Sequence, residues 1–88
     1  MTKTIQIKIS GKVQGVGFRF ESYQQFVDLS LTGKAENSAD GGVEITATGE
    51  DENLEKLVAW AHNGPVGAHV TNVEAKEVAQ APETQKES

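Results

Sequence analysis

The stretch Gly11–Arg19 reads Gly-Lys-Val-Gln-Gly-Val-Gly-Phe-Arg and joins a predicted strand to a predicted helix. Before it, Thr4–Ser10 alternates isoleucine with polar residues, the pattern of a half-buried strand that we expect to continue to Val13. After it, Phe20, Tyr23, Phe26 and Val27 recur at helical spacing and predict a first helix from about Phe20 to Leu29. Glycines at such a junction allow a tight turn that aims several backbone N–H groups into one concavity.

The remaining elements follow from the same kind of pattern. A short strand is predicted over Leu31–Asn37, and the turn signal at 40–42, Asp-Gly-Gly, leads into an alternating strand from Val43. A second helix is predicted from apolar residues at i, i+3, i+4 and i+7, namely Leu54, Leu57, Val58 and Ala61. Gly64-Pro65 ends this helix, and a fourth strand follows whose alternation slips once, as at a bulge.

The order β-α-β-β-α-β predicts an α+β, ferredoxin-like sandwich. Right-handed crossovers then place both helices on one face of a mainly antiparallel four-stranded sheet. A chain of 88 residues is one domain, which we expect to span residues 1–79. Residues 80–88 carry no apolar pattern and are predicted to form a disordered C-terminal tail.

Composition excludes several classes of protein. The chain has no cysteine, so it has neither disulfides nor thiolate metal sites. Without disulfides or a signal sequence, we expect a cytoplasmic protein, and the apolar runs are too short to span a membrane. A formal net charge of −5 argues against nucleic-acid binding, which needs a basic face. Any site for an anionic ligand must therefore be built from local groups.

The glycine loop contains the groups for such a site. Arg19 falls at the predicted helix N-terminus, where unpaired N–H groups favour phosphate, and its guanidinium can bind two phosphate oxygens at once. The loop is not a nucleotide-binding motif, because Phe20 replaces the third glycine of a dinucleotide fingerprint and Val16 replaces the second glycine of a Walker A loop. From the residues alone, a phosphate site and a plain glycine-rich turn with an exposed arginine are equally open.

A resemblance to a known family distinguishes these possibilities. Gly11–Arg19 resembles the signature loop of the acylphosphatase family at every position that defines it. A second similarity, to the strand–turn–strand motif of that family, is carried by Gly33–Asn37, Asp40, Gly41, Val43 and Gly49. The link from the second helix to the fourth strand also resembles the family, at Gly64, Pro65, Ala68 and Val70. Together these similarities cover roughly residues 4–78.

The resemblance implies a metal-independent and cofactor-independent hydrolysis of acyl phosphates to a carboxylate and inorganic phosphate. It implies that Arg19 binds the substrate phosphate and that Asn37 orients the attacking water. The phosphate-binding residues that it implies are Gln14, Gly15, Val16, Gly17, Phe18 and Arg19. Inorganic phosphate or sulfate is expected as a ligand, and the protein is expected to act as a monomer without nucleic-acid or membrane partners. His62 and His69 have no neighbouring ligand set, so no metal site is predicted.

Other interpretations remain open at this stage. Asn37 could instead cap the turn that follows it. The protein could hold a phosphate-bearing ligand without turnover, act on carbamoyl phosphate like the related domain of hydrogenase-maturation carbamoyltransferases, or be a ferredoxin-like domain with an idle loop. The chain also departs from the family at Lys34, where an aromatic residue is usual, and at Glu36, where a basic or neutral residue is usual. These two side chains share one strand face and are predicted to form a surface charge pair.

Overall fold

The computed structural model of the chain describes residues 2–79, and the predicted tail at 80–88 lies outside the described residues. Six elements follow one another in the predicted order β-α-β-β-α-β. They are β1 (Thr2–Lys12), α1 (Phe18–Asp28), β2 (Thr32–Asn37), β3 (Val43–Glu50), α2 (Asp51–Asn63) and β4 (His69–Val78).

The four strands form one antiparallel sheet in the order β2-β3-β1-β4. In β1, Ile5, Ile7 and Ile9 are buried on the face that the helices cover. The residues between them are mainly polar and lie on the opposite face, so the alternation in the sequence separates the two faces of the sheet. The predicted ferredoxin-like fold is confirmed.

The second helix buries the residues that its sequence pattern selects, with Leu54, Leu57 and Ala61 all buried. It ends where predicted, because Gly64 adopts a positive φ of 66° that favours glycine. Within residues 2–79, no helix is both long enough and apolar enough to cross a membrane.

The first helix differs from the prediction in its start and in the face that it buries. It begins at Phe18 rather than near Phe20, and its buried residues are Phe18, Ser22 and Phe26, spaced by four. Of the residues that predicted the helix, Phe26 is buried, whereas Phe20 and Val27 are 68% and 79% exposed. Ser22 fits the buried row because its hydroxyl donates to the Phe18 carbonyl at 2.7 Å, which satisfies a polar group that an apolar pattern does not count.

The fourth strand contains the predicted bulge. Its pairing with β1 shifts register between Ser10, which faces Asn72, and Gly11, which faces Val70. Thr71 is therefore the extra residue, and the apolar alternation slips at this point. The bulge lies at the end of β1 from which the glycine loop begins, next to the candidate site.

Candidate active site

The loop between β1 and α1 turns through two glycines in the left-handed region. Gly15 has φ 78° and Gly17 has φ 83°, values that other residues adopt only with strain. A Cβ atom added at either glycine would meet no atom within 4 Å. The glycines are therefore required by backbone conformation rather than by packing, and the surface above them is open to a ligand.

This loop presents unpaired backbone donors. The first hydrogen bond at the start of α1 runs from Glu21 N to Gly17 O at 2.9 Å. Gly17, the N-cap residue, has no side chain to cap the N–H groups of the first helical turn, and the N–H groups of residues 15–20 donate to no backbone acceptor within the described part of the chain. Because the helix N-terminus carries a positive partial charge, these donors form a concavity suited to an anion.

Phe18 fixes the loop to the core. Its side chain is 2% exposed, and its ring packs edge-on against Trp60 with centroids 5.1 Å apart. Gly64 lies directly beneath the ring, since a Cβ there would be 2.5 Å from Phe18 Cε2. Phe18 therefore reaches the concavity only through its backbone N–H group, and Trp60 packs as a structural residue.

Arg19 follows Phe18 in the first turn of α1 and is exposed. Its guanidinium forms no hydrogen bond or ion pair with any residue from 2 to 79. A cation in this position opposes the helix dipole, so its placement is unfavourable for the empty helix and favourable once an anion is present. The side chain is thus free to bind an anion held by the loop.

Asn37 is the last residue of β2, and the turn after it is closed by other groups. Ser38 N donates to Gly42 O at 2.9 Å, and the Asp40 carboxylate accepts from Ser38 Oγ at 2.7 Å and from Gly42 N at 3.1 Å. These bonds, that from the Ser38 hydroxyl first, lower the pKa of the Asp40 carboxyl below its ordinary value. The Asn37 side chain forms no hydrogen bond to the described residues, so the interpretation of Asn37 as the cap of this turn is wrong.

Gln14 joins the loop to this turn. Its side-chain Nε2 donates to Ser38 O at 3.0 Å and to Gly42 O at 2.8 Å. The glycine loop and the end of β2 are thereby held together at the same end of the sheet. Sequence analysis placed Gln14 only among the residues expected around the phosphate, and nothing in a linear pattern indicates which distant carbonyl groups its amide contacts.

The two residues that depart from the family pattern face away from the loop. Lys34 Nζ lies 3.6 Å from Glu36 Oε2, and both side chains are exposed, which confirms the predicted surface charge pair. Alternation along β2 puts this pair on the face opposite buried Ala35, whereas Asn37 shares the face of Ala35. The Glu36 carboxylate is therefore paired and directed away from the anion concavity.

The described side chains contain no group of three or more His, Cys, Asp or Glu that could hold a metal ion. His62 and His69 are exposed and lie on different elements, one in α2 and one in β4. The groups that these residues bring to this end of the sheet are backbone N–H groups, the Arg19 guanidinium and the carboxamides of Gln14 and Asn37.

Comparison with known proteins gives consistent matches over most of the chain. The acylphosphatase family model matches residues 5–87. An acylphosphatase from Colwellia psychrerythraea is 49% identical over 70 residues, which cover 80% of this chain and 79% of that protein. One from Caldanaerobacter subterraneus is 43% identical over 76 residues, or 86% and 84% of the two chains.

Solved structures agree with the sequence matches. The structure of an acylphosphatase from Coxiella burnetii superimposes with a TM-score of 0.85 at 38% identity, and the match covers 89% of this chain and 82% of that one. Sequence, fold and signature loop thus lead to one assignment, and the chain belongs to the acylphosphatase family.

Proposed function

We propose that the protein hydrolyses acyl phosphates, with the phosphate group bound at the N-terminus of α1. The observation that carries this proposal is the row of unpaired N–H groups at residues 15–20 beside the unpaired guanidinium of Arg19. The names of the relatives supply the substrate class, since several are acylphosphatases. A chain of net charge −5 needs such a local concentration of donors to hold an anion.

The proposed reaction is the attack of water on phosphorus. The water oxygen forms a bond to phosphorus, and the bond from phosphorus to the acyl oxygen breaks with its electron pair leaving on the carboxylate. One proton of the water passes to a phosphate oxygen. Neither Arg19 nor Asn37 serves as a base, because arginine remains protonated in proteins and a carboxamide does not titrate.

The residues in this proposal act by position and charge. Arg19 and the N–H groups neutralise the phosphate oxygens and stabilise the charge that develops on them. The Asn37 carboxamide can accept a hydrogen bond from the water and donate one to the phosphate, which fixes the direction of attack. Phe18 supports the phosphate site, because its buried ring anchors the loop to the core.

The leaving group defines the substrate class. A departing carboxylate has a conjugate acid with a pKa of about 4 and needs no proton. A departing alkoxide has a conjugate acid about as weak as water, with a pKa far above that of a carboxylic acid, and normally requires a general acid or a metal. The proposed site supplies neither, so acyl phosphates should react and phosphate monoesters should not.

The test compares benzoyl phosphate with glycerol phosphate and a phosphoserine peptide at equal concentration, in the presence of EDTA. We expect phosphate release from benzoyl phosphate alone, and loss of that release in Arg19→Ala. Lys56→Ala, which removes the same charge from α2, is the matched control and should keep the activity of the parent. Comparable turnover of all three substrates would contradict the mechanism. Phosphate binding without any turnover would instead indicate a binding module.

We also propose that the protein acts as a cytoplasmic monomer. The support is compositional: the chain has no cysteine and carries a net charge of −5, which keeps copies of the protein apart. Light scattering across a range of protein concentrations tests the monomer, and a mass that doubles with concentration would contradict it.

A further inference from the structure

Tyr23 connects α1 to the edge strand β2. Its hydroxyl accepts a hydrogen bond from the Ala35 N–H at 3.0 Å and lies 3.5 Å from the Ala35 carbonyl oxygen, to which it can donate. The ring packs edge-on against Phe26, with centroids 5.3 Å apart. Although Tyr23 is 45% exposed, its hydroxyl is held against the backbone of β2 by these contacts.

The contact between Tyr23 and Ala35 lies close to the two proposed active-site residues, as the spacing along each element shows. Arg19 is four residues before Tyr23, a displacement of about 6 Å along the helix axis. Asn37 is two residues after Ala35, a displacement of about 6.8 Å along the strand. Because β1 and β2 both run antiparallel to β3, the helix that connects them runs antiparallel to β2. Both displacements therefore lead to the same end of the sheet.

A second connection lies on the other side of the pair. Gln14 donates from its side chain to the carbonyl groups of Ser38 and Gly42. Along the chain, Arg19 thus lies between Gln14 and Tyr23, while Asn37 lies between Ala35 and Ser38. The loop and α1 are therefore joined to β2 and its turn by two sets of hydrogen bonds, one on each side of the pair Arg19 and Asn37.

We propose that Tyr23 is a positioning residue that sets the place of Asn37 relative to Arg19. This inference rests on the proposed function of those two residues. The phosphate concavity is anchored separately, through Phe18 and the core, so loss of the Tyr23 hydroxyl leaves phosphate binding unchanged. Loss of this hydroxyl instead frees β2 to shift, and the Asn37 carboxamide shifts with it. A displacement of about 1 Å in a group that positions a reactant can lower a rate by up to about 10²-fold.

Tyr23→Phe is the test, because it removes the hydroxyl and keeps the ring against Phe26. We expect kcat for benzoyl phosphate to fall about tenfold, while the dissociation constant for inorganic phosphate changes less than about twofold. Gln24→Ala, an exposed neighbour in the same helix, is the control and should change neither value. An unchanged kcat in Tyr23→Phe, or an equal loss of phosphate affinity, would overturn the proposal.

A double-mutant cycle separates positioning from general destabilisation. If Tyr23 acts through Asn37, Tyr23→Phe should cause little further loss in an Asn37→Ala background. An equal loss in both backgrounds would show that the hydroxyl supports the fold alone.

A measurement independent of activity keeps this proposal distinct from the proposed function. In Tyr23→Phe, the Ala35 amide proton should exchange at least about tenfold faster, and the Asn37 side-chain amide signals should shift. A parent protein that releases no phosphate from any acyl phosphate would refute the function. Unchanged Ala35 exchange and Asn37 signals in the variant would refute the positioning role, whatever the activity of the parent.

Discussion

Arg19→Ala should lower activity and raise stability at the same time. Arg19 is exposed, forms no hydrogen bond or ion pair within residues 2–79, and lies in the first turn of α1, two positions after the N-cap Gly17. A cation there opposes the helix dipole by about 0.3–1 kcal/mol, and alanine is at least as good a helix former as arginine. The free energy of unfolding should therefore rise by about 0.3–1 kcal/mol in the variant.

The effect on the reaction has the opposite sign. Loss of a main charge-stabilising donor lowers kcat by on the order of 10²–10³-fold, which corresponds to about 2.7–4 kcal/mol of transition-state stabilisation. The proposed site contains no second guanidinium to replace Arg19, so we expect the full effect rather than a partial one. Arg19→Lys keeps the charge but not the two-pronged geometry and should give an intermediate rate.

The assay pairs urea unfolding with benzoyl phosphate kinetics. Unfolding is measured at low salt and without phosphate, because an anion bound to the parent would stabilise it and reverse the comparison. Lys56→Ala controls for the change in net charge. The reasoning fails if Arg19→Ala is less stable than the parent, or if its kcat/KM stays within about threefold of the parent.

Asn37→Ala should lower kcat by on the order of 10²-fold while inorganic phosphate binds as before, and a raised KM at constant kcat would assign it to substrate binding instead. Gly64→Ala should cost about 2–5 kcal/mol of stability in urea unfolding, because strain at φ 66° adds to overpacking against Phe18. Gly41→Ala, with φ 95° and open space around the added atom, should cost only the strain of about 1–2 kcal/mol, so equal losses would contradict the packing argument. The pKa of the Asp40 carboxyl is lowered on folding, so its contribution to stability is complete above the unfolded value of 3.8 and disappears as the pH falls through the lower folded value. The difference in unfolding midpoint between the parent and Asp40→Asn should therefore shrink on acidification through that range, and a difference independent of pH would contradict the assignment.

The elements that the sequence predicted well are those whose packing follows one periodicity. The alternating isoleucines of β1 and the apolar stripe of α2 bury the residues that their patterns select. The buried face of α1 was predicted only in part: Phe26 is buried, but Ser22 occupies a core position through a local hydrogen bond while Phe20 remains exposed. A prediction based on apolar residues alone buries Phe20 and exposes Ser22, which is the opposite of what the structure shows.

The two proposed active-site residues were identified in the sequence by family resemblance, whereas the contacts that hold their segments together were not. Gln14 and Tyr23 both bind backbone carbonyl or N–H groups of β2 and its turn. The positions of those groups depend on how the strand packs against the helix, and no local preference of glutamine or tyrosine specifies them. Such contacts become visible only when the tertiary structure is known.

The position of β1 between β3 and β4 has a consequence for synthesis of the chain. The first strand of this domain to be translated is the one that needs two partners, and its pairing of Thr4 with Val78 spans nearly the whole length of the domain. Pairings of such high sequence separation form slowly, and apolar strand residues that await a partner favour aggregation. The isoleucines of β1 therefore have no complete sheet to join until almost all of the domain has been translated.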